Sequence, residues 1–261
     1  MIIKTHYYFL LNLRPWPFII RICSFNLITS FLFFLKLNRL NYFFFSLLTI
    51  IIASFFWWIT YRGEFNLEGK NSLILEKGIK FRIILFISSE VFFFFSFFWS
   101  YFHFFLSPTI ELGMEWPPIF IEFFDFLGVP LINTLVLIRS GVTVTMRHYF
   151  LIKGSKKNSN FWLLFTIILG ILFSLLQIVE YKNSFFCISD SRFGTSFFIL
   201  TGFHGIHVLI GSLFLLTTLI RSNYVSNSSK NFLRFELASW YWHFVDVVWI
   251  FLYCFLYYLI N

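Results

Sequence analysis

The sequence predicts an all-α fold, a polytopic membrane protein with seven transmembrane helices. Three observations carry this expectation. Hydrophobic residues make up 59% of the 261 residues and charged residues only 12%, with a mean hydropathy of +0.80. Soluble domains carry roughly a quarter charged residues, and so few could not coat a surface facing water. Seven apolar runs are each long enough to cross ~30 Å of hydrocarbon. The Lys and Arg residues between those runs fall mostly on one side of the resulting topology.

The spans are placed at 16–35, 41–61, 79–106, 128–149, 160–180, 194–220 and 235–259, within a single membrane domain over 1–261. Lys36 to Asn41 makes a tight first turn, and Arg62–Gly78 is the longest polar stretch. Ser107–Leu127 carries Pro108, Pro117 and Pro118, which suit a folded surface loop. Lys153–Asn160 and Ser222–Lys230 read as polar turns. No internal repeat is visible.

Seven spans put the N-terminus and the loops after spans 2, 4 and 6 on one side. That side holds Lys4, Arg14, Arg62, Lys70, Lys77, Lys80, Arg82, Arg147, Lys153, Lys156, Lys157, Arg221, Lys230 and Arg234, 14 of the 20 basic residues. The other side holds Lys36, Arg39, Lys182 and Arg192, while Arg21 and Arg139 fall inside spans. The asymmetry orients the N-terminus inside and the C-terminus outside. It also explains the net charge of +8 without nucleic acid. The loop 107–127 has Glu111, Glu115, Glu122 and Asp125 and no base. Cys23, Cys187 and Cys254 are scattered, with no metal-type spacing. The N-terminus lacks a transit-peptide pattern and a small-residue cleavage site, so insertion where the chain is made is expected. Phe accounts for 43 residues, a bias suggesting an AT-rich coding sequence, and Phe stripes are read as lipid-facing filler.

Ionisable groups deep in a span are the best pointers to function. Glu90 lies 8 residues past Arg82 in span 3, about 12 Å further along at helical rise. It reads either as a proton- or lipid-related buried carboxyl or as a hydrogen-bonded packing group. His204 and His207 in span 6, and His243 and Asp246 in span 7, each sit one turn apart on one helix face. Counted from Arg221 and Arg234, His207 and Asp246 lie at similar depths, so these four residues with Glu90 form a candidate interhelical polar layer. No Glu-x-x-His pair repeats on two helices, and no metal ligand is assigned. His6, His103 and His148 lie near interfaces. Gly202, Gly205, Gly211 and Ser212 would let span 6 approach a neighbour closely. Trp57, Trp58, Trp240, Tyr241 and Trp242 are placed at the inner interface, beside basic loops suited to phospholipid headgroups. No Gly-rich phosphate loop or nucleophile–base pair is present.

Several segments in order resemble one family. Trp240–Tyr253, WYWHFVDVVWIFLY, preceded by Glu236, resembles the last helix of cytochrome c oxidase subunit III. Thr201–Gly211, TGFHGIHVLIG, is similar to its sixth helix. Ile84–Glu90 with Phe97–Trp99 looks like its third helix. Glu111–Pro118, ELGMEWPP, Val129–Thr134, VPLINT, and Pro15–Pro17 also match.

The resemblance implies a V of two plus five helices (about 16–61 and 79–259) with phospholipids in its cleft. It implies a subunit without haem or copper, those centres belonging to subunits I and II. Such a subunit sits in a complex that passes electrons from cytochrome c to oxygen and pumps protons, with further small subunits as partners. The chain would stabilise the catalytic subunit and support proton uptake in the mitochondrial inner membrane, N-terminus in the matrix. Trp58, Glu64, Glu90, His207 and Arg221 match positions lying around bound lipid in the family.

Two departures stand out. Gly69-Lys70-Asn71-Ser72 replaces the family's Gly-x-His-Thr, putting one headgroup contact in doubt, and Arg21 and Arg139 stand where relatives carry small neutral residues. Two other readings stay open: a stand-alone proton-coupled transporter or channel using Glu90, and a quinol oxidase subunit of the same family.

Overall fold

The computed structural model describes residues 14–38, 40–67, 73–108, 113–118, 121–122, 124–224 and 229–260, with side chains left undescribed at 61–67, 73–75, 223–224 and 229–231. Among the described residues seven α-helices follow one another: α1 (Trp16–Leu37), α2 (Leu40–Leu67), α3 (Leu73–Leu106), α4 (Val129–Ile152), α5 (Lys156–Lys182), α6 (Arg192–Tyr224) and α7 (Ser229–Leu252). A π-helical segment, Tyr253–Tyr258, continues α7. The described residues contain no strand, and all seven helices have windows long and apolar enough to cross a membrane.

Helices run past the apolar spans read from sequence by up to six residues at either end. Helical hydrogen bonding does not stop where hydrocarbon does. Arg192 and Lys156–Asn160 remain helical in the polar interface. The ends carry the expected signals. Pro17 and Pro130 lie in the first turns of α1 and α4, where a missing N–H costs nothing. Asn38 closes α1 in the left-handed region at φ 54°, its N–H on the Phe34 carbonyl 2.8 Å away. Gly154, at φ 75°, makes the α4–α5 turn.

The chain divides into two compact units, residues 1–81 and 82–261, the division falling within α3. In the first unit α1 and α2 pack antiparallel. They are joined by a hydrogen bond between the Ser30 and Ser46 hydroxyls and by the Phe31, Phe34 and Phe43 rings. Trp16 stacks on Phe56 at 6.0 Å.

In the second unit α4, α5, α6 and α7 pack as a bundle, each helix on its neighbours. Trp242 of α7 is its centre and is fully buried. A Cβ on Gly170 of α5 or Gly211 of α6 would meet the Trp242 ring at 2.7 and 2.9 Å, so glycine at both places makes room for the indole. Its Nε1–H donates to Ser140 Oγ of α4 at 2.9 Å. One side chain thus ties four helices. Between α4 and α5, Thr143 and Thr166 share a hydrogen bond of 2.8 Å. The C-terminal half of α3 lies along α6 and α7 through aromatic contacts, Phe93 on Phe203, Phe94 on Phe244 and Phe102 on Phe255, and Tyr101 Oη–H donates to the Phe255 carbonyl at 2.9 Å.

Two local expectations change. Tyr241 and Trp242 are packed in the protein core rather than open to headgroups. Gly211 makes a close approach, but a Cβ on Gly205 would meet nothing within 4 Å. The loop reading for 107–127 fits the described part, where Gly113 and Met114 turn with positive φ and Trp116 packs on Tyr101 and Phe193.

Candidate functional site

Glu90 sits near the middle of α3, and His207 near the middle of α6. The contact of α3 with α6 brings their side chains together, Glu90 Oε2 lying 2.9 Å from His207 Nε2. The imidazole is held from its other side: Nδ1 lies 2.7 Å from the Phe203 carbonyl, one turn back on the same helix. A carbonyl only accepts, so Nδ1 carries a hydrogen. Nε2 and the carboxyl then need exactly one further proton between them to bond. It rests on the carboxyl as an acid or on the imidazole as an ion pair, and the pair is neutral overall in both forms. That arrangement suits low-dielectric surroundings, where an unpaired charge would be expensive.

The surroundings are aromatic. Phe94 stands edge-on to the His207 ring at 5.0 Å, with Phe93, Tyr241 and Phe244 between 6.3 and 6.5 Å. The side chain of His207 is 10% exposed and that of Glu90 22%. The Glu90 side chain is therefore partly exposed, while the imidazole is nearly enclosed. Chemically, the pair can hold a single proton and pass it between two atoms, or offer a polar point to a molecule lying against the partly exposed Glu90 side chain.

The remaining polar residues take other partners. His204 is fully buried, its Nε2 3.2 Å from the Val245 carbonyl of α7 and its ring against Phe173 and Trp249. His243 and Asp246 approach each other at 3.9 Å and face α4, where a Cβ on Gly141 would come 2.8 Å from Asp246 Oδ2. The four residues of the candidate layer thus engage three different interhelical seams. Arg221 lies in the last turn of α6, about 21 Å along the helix from His207. Trp58 of α2 is exposed. The side chain of Glu64, and Lys70 with its neighbours, lie outside the described residues, as does His6. Cys23, Cys187 and Cys254 are free thiols, and among the described residues no three His, Cys, Asp or Glu groups gather as a metal site.

Sequence reasoning missed a further buried carboxyl. Glu180, near the end of α5, accepts a hydrogen bond from Tyr257 Oη and is almost wholly enclosed. It coincides with the end of the apolar run and so looked like a boundary residue. Gln177 and Glu180, three apart on one helix face, were the available signal. Arg147 was counted among the interfacial bases, yet it is buried, with its guanidinium 4.6 Å above the Phe235 ring.

Comparison with known proteins gives one consistent result. The family described as cytochrome c oxidase subunit III matches residues 6–260. The chain is 43% identical over 254 residues to cytochrome c oxidase subunit 3 of Ornithorhynchus anatinus, covering 97% of each chain. The corresponding proteins of Mus musculus and Mammuthus primigenius are 43% and 42% identical, again over 97% of each.

Proposed function

Because the chain belongs to the cytochrome c oxidase subunit III family, we propose that it serves as a non-redox core subunit of the terminal respiratory oxidase. The complex moves electrons from cytochrome c to oxygen and translocates protons. This chain's part is to stabilise the catalytic subunit, to hold phospholipids, and to support proton uptake through Glu90. Haem a and copper are assigned to subunits I and II, its partners together with the smaller subunits. The setting is the mitochondrial inner membrane, with the N-terminus on the matrix side, where most of the basic residues lie.

The observation that carries the reading is the Glu90–His207 pair, 2.9 Å apart in the membrane-spanning part of α3 and α6. Its proton is held without net charge, and the Glu90 side chain is partly exposed. A lipid acyl chain along α6, with its headgroup toward Arg221, would fit the spacing of His207 and Arg221 along that helix. The hydrogen bonds of His204 and His207 support structural roles for both. A stand-alone proton-coupled transporter or channel is not favoured, since the whole-length match is to an oxidase subunit.

Purifying the complex in mild detergent through a tag on this chain tests the assignment. Stoichiometric a-type haem in the reduced-minus-oxidised spectrum, with the larger subunits present, is the expected result. A colourless chain recovered alone after gentle extraction would count against it.

A further inference from the structure

Arg139 lies ten residues from the start of α4 and thirteen from its end, about 15 and 20 Å from the two ends at helical rise. Its neighbours fix that depth independently. Ser140 bonds Trp242, ten residues beyond Phe232 on α7, and Thr143 bonds Thr166 near the middle of α5. Arg139 is therefore anchored near the centre of the span, deeper than a base near a helix end that can reach the headgroup layer.

Its orientation is equally clear. Leu137, Ser140 and Val144 turn into the bundle, whereas Arg139 is exposed on the outward face with Leu135, Ile138 and Val142. Among the described residues, the chain's own acids do not supply a counter-charge. The membrane-crossing segments of α1 and α2 contain none, since Glu64 is the first acid in the sequence. The mid-membrane acids Glu90 and Asp246 face His207 and His243, and Glu180 bonds Tyr257. A permanent cation facing outward at that depth needs a fixed anion at the same depth, and lipid phosphates lie a half-membrane away.

We propose that the outward face of α4 around Arg139 docks a transmembrane helix of a partner subunit that carries a carboxylate at mid-membrane depth. The pair would be a buried guanidinium–carboxylate bridge walled by Leu135, Ile138 and Val142. The inference rests on the chain being a subunit of the oxidase complex.

Arg139→Met in the intact tagged complex tests it, because the two readings differ in sign. With a partner carboxylate, the substitution strands that anion, and association should weaken on the order of tenfold or more. The readout is the fraction of this chain still migrating with the haem-bearing subunits in native electrophoresis as detergent is raised. Retention equal to or better than wild type overturns the proposal, as it would if the arginine faced lipid. A second variant, Arg139→Lys, keeps the charge and adds a reactive amine. An apolar carbodiimide should join that amine to the facing carboxylate as an amide, releasing the urea. Peptide mass spectrometry should place the other end in a membrane span of another subunit. No cross-link to a protein carboxylate, or an anionic phospholipid co-purifying in its place, also overturns it. Absence of haem from the wild-type preparation would instead break the oxidase assignment, so the two failures are distinguishable.

Discussion

The helix pair α1–α2 and the bundle α4–α7 solve the same problem differently. Within their membrane-crossing windows only 6% and 11% of residues in α1 and α2 are buried, against 33 to 50% in α4 to α7. The pair meets along one seam, with a Ser–Ser hydrogen bond and stacked rings. The bundle is keyed by a central indole, two glycines and hydrogen bonds crossing from helix to helix. Apolar side chains gain nothing by leaving lipid for protein, so in a membrane close packing and polar contacts decide which helices stay together. The bundle has both in quantity, and the pair has little of either.

This contrast can be broken most sharply at Trp242. Trp242→Ala removes the ring from between Gly170 and Gly211 and its hydrogen bond to Ser140, whose hydroxyl keeps the Leu137 carbonyl, and should cost about 3–5 kcal/mol. Thermal unfolding of the purified complex, followed by this chain's exposure to protease, should show the loss. Gly211→Val comes next, since its side chain would enter the Trp242 ring at 2.9 Å. About 1–3 kcal/mol is expected from overpacking, and the simultaneous Trp242→Phe change should recover part of it. In the pair, Ser46→Ala removes one interhelical hydrogen bond, and about 0.6 kcal/mol is expected from bonds of that kind in membranes. Phe45→Leu, on an exposed face of α2, should change thermal stability by no more than about 0.5 kcal/mol. An equal cost for Phe45→Leu and Trp242→Ala would erase the distinction between the two regions.

The same contrast explains what the sequence made legible. Span number and order follow from apolar run length, and this property is present in both regions. Partner choice is not, because a helix rich in Phe looks alike whether it faces lipid or protein. Thus the spacing of His204 and His207 put them on one face, but it did not say that His207 meets Glu90 of α3 while His204 meets the Val245 carbonyl of α7. The depth argument aligned Asp246 with His207, yet Asp246 looks toward Gly141 of α4. Glu180 was hidden for a different reason. It stands where apolar sequence ends, and only the docking of Tyr257 turns a boundary carboxyl into a buried one. Trp242 carries the sequence signal of an interfacial ring, and only the packing of Gly170 and Gly211 against it makes it a core residue.

Glu90 joins the two levels, since a structural contact and a proton share one pair of atoms. Glu90→Gln retains a hydrogen-bond donor toward His207 Nε2 but can no longer release its proton. The most direct measurement is oxygen consumption over many turnovers by the purified complex, comparing wild type, Glu90→Gln and the complex stripped of this chain. A supporting role predicts a near-normal initial rate in the variant, with activity decaying faster than wild type and toward the stripped complex. Decay indistinguishable among all three preparations would contradict the role assigned to this chain and to Glu90.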